Sequence, residues 1–325
     1  MRRILLLVGL LLTGVGVFAQ SDASVTLIGL LQAGDFRALT VSNDDRYLLV
    51  TDAATNQIRI YELSDLADPP LITSVAVEGI PTGIASARGF LLVATRSGEG
   101  AGTIEILAPD RYSSDSPYAA GNNFVDLPFE IEDIIVSTDQ DYAIAVGRER
   151  FSLLRLRSAD EIDARNFNAA LSAAAISSGV LYSAQGSVLS AARLDDMSVS
   201  RETTSLELGA PIVALAISEN GQLGAIALEN GDISFFDPEA FTMLSTVSAG
   251  GPPSELQFIA SDAGPRLVAA VQGESALRLF DISQPEAVVA QEAQISLDGS
   301  IVGLTGFANH VIATDGSTIG IFELP

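Results

Sequence analysis

Four arginines fall within ten positions of the stretch VGRERFSLLRLRS: Arg148, Arg150, Arg155 and Arg157. A guanidinium is planar, permanently charged and able to grip a carboxylate or phosphate through two parallel hydrogen bonds. In a chain whose formal net charge is −24, such a cluster reads as a docking point for a carboxylate, a phosphate or an acidic protein partner. The same arginines can be neutralised locally by Glu149, Asp160, Glu161 and Asp163, in surface ion pairs worth little each. A second set of candidates is acidic. Asp52 in LVTDAATN and Asp315 in VIATDGST end equivalent strands of a repeated pattern, and Asp35, Glu132 and Asp133 lie on nearby loops. Hard cations such as Ca²⁺ or Mg²⁺ want several oxygen ligands converging on one point, so these five acids would serve a metal-assisted hydrolase. Asp is also an ordinary turn former, which is the plainer use for all of them.

Composition removes much other chemistry. All 17 basic residues are Arg, so a lysine base and Schiff-base catalysis are excluded. The absence of Cys excludes disulfides, thiolate nucleophiles, iron–sulfur clusters and covalent haem. There is no Trp and a single His, His310. A nucleophilic triad would have to be built on that one residue, at the start of a strand. With 41 acidic residues the surface repels phosphate backbones, so nucleic acid is not an expected partner. The glycine-rich RSGEGAG (96–102) has no following Lys and no helix start, and reads as a hairpin loop rather than a phosphate cradle. No cofactor is expected, Ca or Mg entering only with the hydrolase reading.

The elements that must position these residues are strands. PIVALAIS, DFRALTVS, PTGIASAR, IEDIIVS, LSAAAIS, PSELQFIA and IVGLTGFA recur about every 44 residues, inside the period of four-stranded propeller blades. Polar turns follow several of them (SNDDR, STDQD, SENGQ, SDAGP), then a second apolar strand (YLLVTD, LGAIALE), a third (QIRIYEL, DISFFDP) and, in most units, a more polar fourth (TMLSTVSAG, AQISLDG). One such unit cannot bury both faces of its sheet, whereas units arranged radially bury each other's. The small residues of the first strands suit a crowded axis. The last unit stops at TIGIFELP without a fourth strand, while SVTLIGLLQAG (24–34) is spare. The expectation is therefore all-β: a seven-bladed β-propeller of four-stranded antiparallel blades, closed by the N-terminal strand, with 112–124 as a loop insertion.

The segments GIPTGI, GAPIVAL and GGPPSEL resemble the Gly-x-Pro start of YVTN-type, WD40-like propeller repeats, a group related to lactonase-type propellers. RLFDISQPEAVVAQE is similar to the LVIVD-type repeat of secreted bacterial propellers. The resemblance spans residues 20–325 and speaks for fold; propellers host unrelated activities.

The stretch MRRILLLVGLLLTGVGVFAQ carries a basic start, an apolar core and Val17 and Ala19 before a cleavage point. Residues 1–19 read as a secretory signal peptide, too short to span a bilayer, followed by one propeller domain, 20–325. The expected protein is an exported, monomeric, non-catalytic module, periplasmic or extracellular, that binds a protein partner and has no integral membrane segment after cleavage. The alternative is a metal-assisted lactonase-type hydrolase.

Overall fold

Stretches such as Leu48–Val50, Leu91–Ala94 and Ala225–Ala227 are buried at every position. A strand with one solvated face would alternate apolar and polar residues; these strands have protein on both sides. The computed structural model describes residues 25–32, 34–97, 100–110, 116–261 and 264–324, and in it seven four-stranded antiparallel sheets form a ring. From the axis outward, blade 1 contains Phe36–Val41, Tyr47–Asp52, Gln57–Glu62 and Leu71–Ala76, and blade 2 Ile80–Ala87, Phe90–Arg96, Gly102–Pro109 and Tyr118–Leu127. Blade 3 contains Asp133–Val136, Tyr142–Val146, Phe151–Ser158 and Glu161–Phe167, and blade 4 Ala173–Ser177, Val180–Gln185, Val188–Asp195 and Ser198–Glu207. Blade 5 is Ile212–Ile217, Gly224–Leu228, Asp232–Asp237 and Thr242–Ser248; blade 6 is Pro253–Ser261, Gly264–Val271, Ala276–Asp281 and Val289–Ser296.

Blade 7 takes Gly303–Phe307, His310–Thr314 and Thr318–Glu323 from the end of the chain and its outermost strand, Thr26–Gln32, from the beginning. Thr26 faces Glu323 and Gln32 faces Thr318, with a bulge at Leu27/Gly29. Gly29 is required there, because a Cβ would stand 2.1 Å from the backbone oxygen of Leu66 in blade 1. The expected closure by the N-terminal strand is thus the observed one.

The core is not one mass but seven seams. Leu92, Ile104 and Leu127 of blade 2 pack on Ile134, Ala143 and Leu154 of blade 3, and Phe36, Leu48 and Tyr61 of blade 1 pack on Ile312, Ile319 and Ile321 of blade 7. Five other clusters fill the remaining seams. Each fully buried aliphatic side chain contributes about 1.5–3 kcal/mol, so stability is distributed around the ring.

The polar turns have one construction in three blades. The hydroxyls of Ser42, Ser137 and Ser218 donate to Asp44, Asp139 and Asn220, and accept the N–H of Tyr47, Tyr142 and Leu223. Asp45, Gln140 and Gly221 then turn the chain at φ 57°, 59° and 70°. In blade 6 the hairpin at SDAGP is longer and Ser261 instead donates to the carbonyl of Gly264. The expected loop at 112–124 is corrected in part: 111–115 lie outside the described residues, while Tyr118–Leu127 form the outermost strand of blade 2. Residues 1–19 also lie outside the described residues.

Candidate functional site

In the ring every innermost strand starts at one face, called the top, and ends at the other. The acids and arginines singled out in the sequence can be placed on this frame. Closure makes blades 7 and 1 neighbours, joined by the Phe36 N–H donating to the carbonyl of Gly316 at 2.7 Å. Asp35 and Asp315 both line a top-face cleft of about 560 Å³ between blades 7, 1 and 2. Asp315 is held by its own loop: it accepts the N–H groups of Ser317 (2.9 Å), Thr318 (2.7 Å) and Gly299 (3.0 Å). Burial works against its charge, but these hydrogen bonds keep its carboxyl below the usual Asp value. Asp35 pairs with Arg37 at 2.9 Å. Asp52 lies beneath the face and is fully buried. It accepts the Ala54 N–H at 3.1 Å and forms an ion pair with Arg59. Burial raises its pKa, and hydrogen bonds from Thr55 and Arg59 more than reverse this.

The arginine cluster divides. Arg148 and Arg150 occupy the top-face loop between the second and third strands of blade 3, where Arg148 pairs with Glu132 at 2.8 Å. Arg155 and Arg157 lie further down the third strand, which advances about 3.3 Å per residue. Arg155 reaches across the seam to Asp196 of blade 4, and Arg157 pairs with Glu161 at 2.8 Å and Asp163 at 3.5 Å. One run of sequence therefore serves both ends of a strand. Arg96, by contrast, lines the top-face cleft with no acidic partner among the described residues, beside the exposed side chains of Ile80 and Val302.

Asp133 belongs to a different place, the axial channel. At one level of the ring the innermost strands contribute Ala38, Gly83, Asp133, Ala173, Ala214, Glu255 and Gly303. Five of these are Ala or Gly, which leaves room for two carboxyl groups. Asp133 and Glu255 line a cavity of about 310 Å³ together with Thr138, Ser172 and Ser254. Water reaches both along the channel, yet the blades surround them, and burial pushes both pKa values up. Glu255 also feels the Asp133 charge and is pushed up to about 7, although the Leu304 N–H stabilises its charged form. With its pKa at about 7, the Glu255 carboxyl can both donate and accept near neutrality.

Glu255 is not among the residues expected from sequence. The signal is present: PSELQFIA carries Glu where the matching strand PIVALAIS carries Ala. His310 stands at the bottom face as expected, stacked on Phe307 with ring centroids 5.1 Å apart. Burial lowers its pKa against the pull of Glu323, so the ring is neutral near pH 7. The Gly-rich segment joins Phe90–Arg96 to Gly102–Pro109 as a hairpin, with residues 98–99 outside the described set.

Among the described residues, no three His, Asp or Glu side chains group as a metal site, and no helix is long and apolar enough to cross a membrane. The architecture defines the class of protein: a seven-bladed β-propeller. Beyond that class, no protein-family model matches the chain and no curated protein matches it in sequence.

Proposed function

We propose that this is an exported, non-catalytic propeller of the YVTN/lactonase-like type whose top face docks a protein partner. One observation carries the reading. Of the acids expected to converge for hydrolysis, Asp35, Asp52, Glu132 and Asp315 are each engaged by a separate partner of the fold, whereas Arg96, Ile80 and Val302 stand together on the top face without one. A cation beside apolar side chains is the composition of an interface rather than of a reaction centre. Arg150, whose side chain makes among the described residues only a long polar contact of 3.5 Å to the Pro128 carbonyl, extends the surface towards blade 3. Export is proposed from residues 1–19.

The test is partner capture from envelope and culture-medium fractions with residues 20–325 as bait, using a photo-reactive cross-linker because the chain has no Lys. Baits with Arg96→Glu, and with Arg148→Glu plus Arg150→Glu, run in parallel. A stoichiometric partner taken by the unmodified bait and lost with these variants supports the reading; equal capture by all baits overturns the site. The second reading, a metal-assisted hydrolase, draws on Asp35 and Asp315 sharing one cleft. It requires lactone hydrolysis that is lost to a chelator and to Asp315→Asn.

A further inference from the structure

The bottom face carries a second cavity, of about 810 Å³, in the seam between blades 4 and 5. Its volume falls in the range of small-molecule sites. Blade 4 supplies Arg193 and Thr204; blade 5 supplies Asn220, Gln222, Glu239 and Phe241. Three features separate it from an ordinary crevice.

The first is charge. Among the described residues eight arginines are ion-paired. Arg193 is exposed in this cavity with no ion pair or hydrogen bond among the described residues, although Asp237 and Glu239 line the same space. The walls hold the two signs apart. The second is strain. Phe241 has φ 52°, a left-handed conformation that is a genuine outlier for a bulky residue. That conformation sets its ring edge-on to Phe236, with centroids 6.2 Å apart, and tilted against Tyr182 at 6.4 Å. The third is rigidity. The buried Tyr182 hydroxyl donates to the Pro238 carbonyl at 3.1 Å, tying blade 4 to the turn that carries Glu239 and Phe241. The Asp237 carboxylate accepts the N–H groups of Glu239 and Ala240, at 2.8 and 2.9 Å, and fixes the same turn.

We propose that this cavity is a binding site for an acidic sugar, a hexuronic acid unit of an oligosaccharide. The guanidinium of Arg193 takes the carboxylate through paired hydrogen bonds. Ring hydroxyls, each both donor and acceptor, meet the amides of Asn220 and Gln222, the Thr204 hydroxyl and the Glu239 carboxylate, which together offer both functions. The apolar face of the sugar ring lies on Phe241. The tied turn means that little is lost in ordering the site. The site is on the face opposite the proposed protein-docking surface, so either can fail without the other.

The test is calorimetric titration of residues 20–325 with a tri-galacturonate and with neutral galactotriose, at fixed salt. Tri-galacturonate should bind, and at least about tenfold more tightly than the neutral sugar, the worth of one charge-assisted contact. Arg193→Met should remove that preference, and Phe241→Gly, which relieves the backbone while deleting the ring, should weaken both sugars. Arg46→Met, at a different seam, should change neither. Absence of binding, equal affinity for the two sugars, or unchanged affinity in Arg193→Met with an intact fold by circular dichroism would each overturn the proposal.

Discussion

Replacing Glu255 by Gln should make the protein more stable at alkaline pH and leave it unchanged at acid pH. In the folded ring Glu255 titrates at about 7, against 4.5 for an ordinary Glu. The folded state therefore binds a proton that the unfolded chain has released, and the stabilisation this gives is complete below pH 4.5 and lost as pH rises through about 7. The separation corresponds to roughly 3 kcal/mol. Water in the channel screens part of it, so we expect a penalty of about 1–2 kcal/mol in wild type at pH 8. Gln keeps the shape and an oxygen for the Leu304 N–H, and carries no charge at any pH. The assay is urea unfolding of both proteins at pH 5 and pH 8 at one salt concentration. The difference between variant and wild type should be no more than about 0.5 kcal/mol at pH 5 and about 1–2 kcal/mol in favour of Gln at pH 8, while the general repulsion of an acidic surface cancels between them. A variant that is no more stable than wild type at pH 8, or equally displaced at both values, would refute the reasoning.

Further perturbations follow from the contacts. Arg59→Met strips the cation from the fully buried Asp52 and should cost about 3–5 kcal/mol in chemical denaturation; a loss below about 1 kcal/mol would mean the hydrogen bonds alone suffice. The pKa of Asp52 is held below 3.8, so its stabilisation is present above that value and disappears as pH falls further, which a wild-type acid titration against Asp52→Asn should show. Gly224→Ala places a Cβ 2.0 Å from the Phe236 ring and should cost about 1–3 kcal/mol, recovered in part by adding Phe236→Leu. Deleting residues 20–32 removes the buried faces of Ile28 and Leu31 and should lower the melting temperature by more than about 5 °C, with a synthetic 24–34 peptide restoring it.

The ring is legible in the sequence because its physics repeats. Strands buried on both faces read as unbroken apolar runs, and the Ser-x-Asp/Asn turn recurs with the same hydrogen bonds in three blades. What repeats weakly is not legible. The outermost strand of blade 3, Glu161–Phe167, is polar and mostly solvent-facing, and that of blade 2, Tyr118–Leu127, is broken by the run Gly121, Asn122 and Asn123, so neither periodicity nor apolar content separates them from loops. The site is less legible than the fold. Asp35 and Asp315 share a cleft at the closing seam while Asp52 lies buried beneath it, and whether a carboxylate is free depends on partners such as Arg59 and Gly299, which no spacing reveals. Arg148 and Arg157 are close in sequence and far apart on a strand. Arg193 and Phe241 lie on different blades, and only packing brings them to one cavity.

The outermost strand of blade 7 also bears on the order of assembly. Thr26 meets Glu323 across nearly the whole chain, whereas most other pairings join neighbouring segments. Loop-closure entropy rises with the logarithm of length, so this pairing carries about 2 kcal/mol more than a blade-sized loop. Blades can zip up locally while the ring stays open, and the first strand made is the last one placed. Until then the apolar faces at the 7–1 seam, including Phe36, Leu48 and Ile312, are bare. A ring left open at this seam would carry two sticky ends, a form prone to pair with another copy and one a chaperone would have reason to hold.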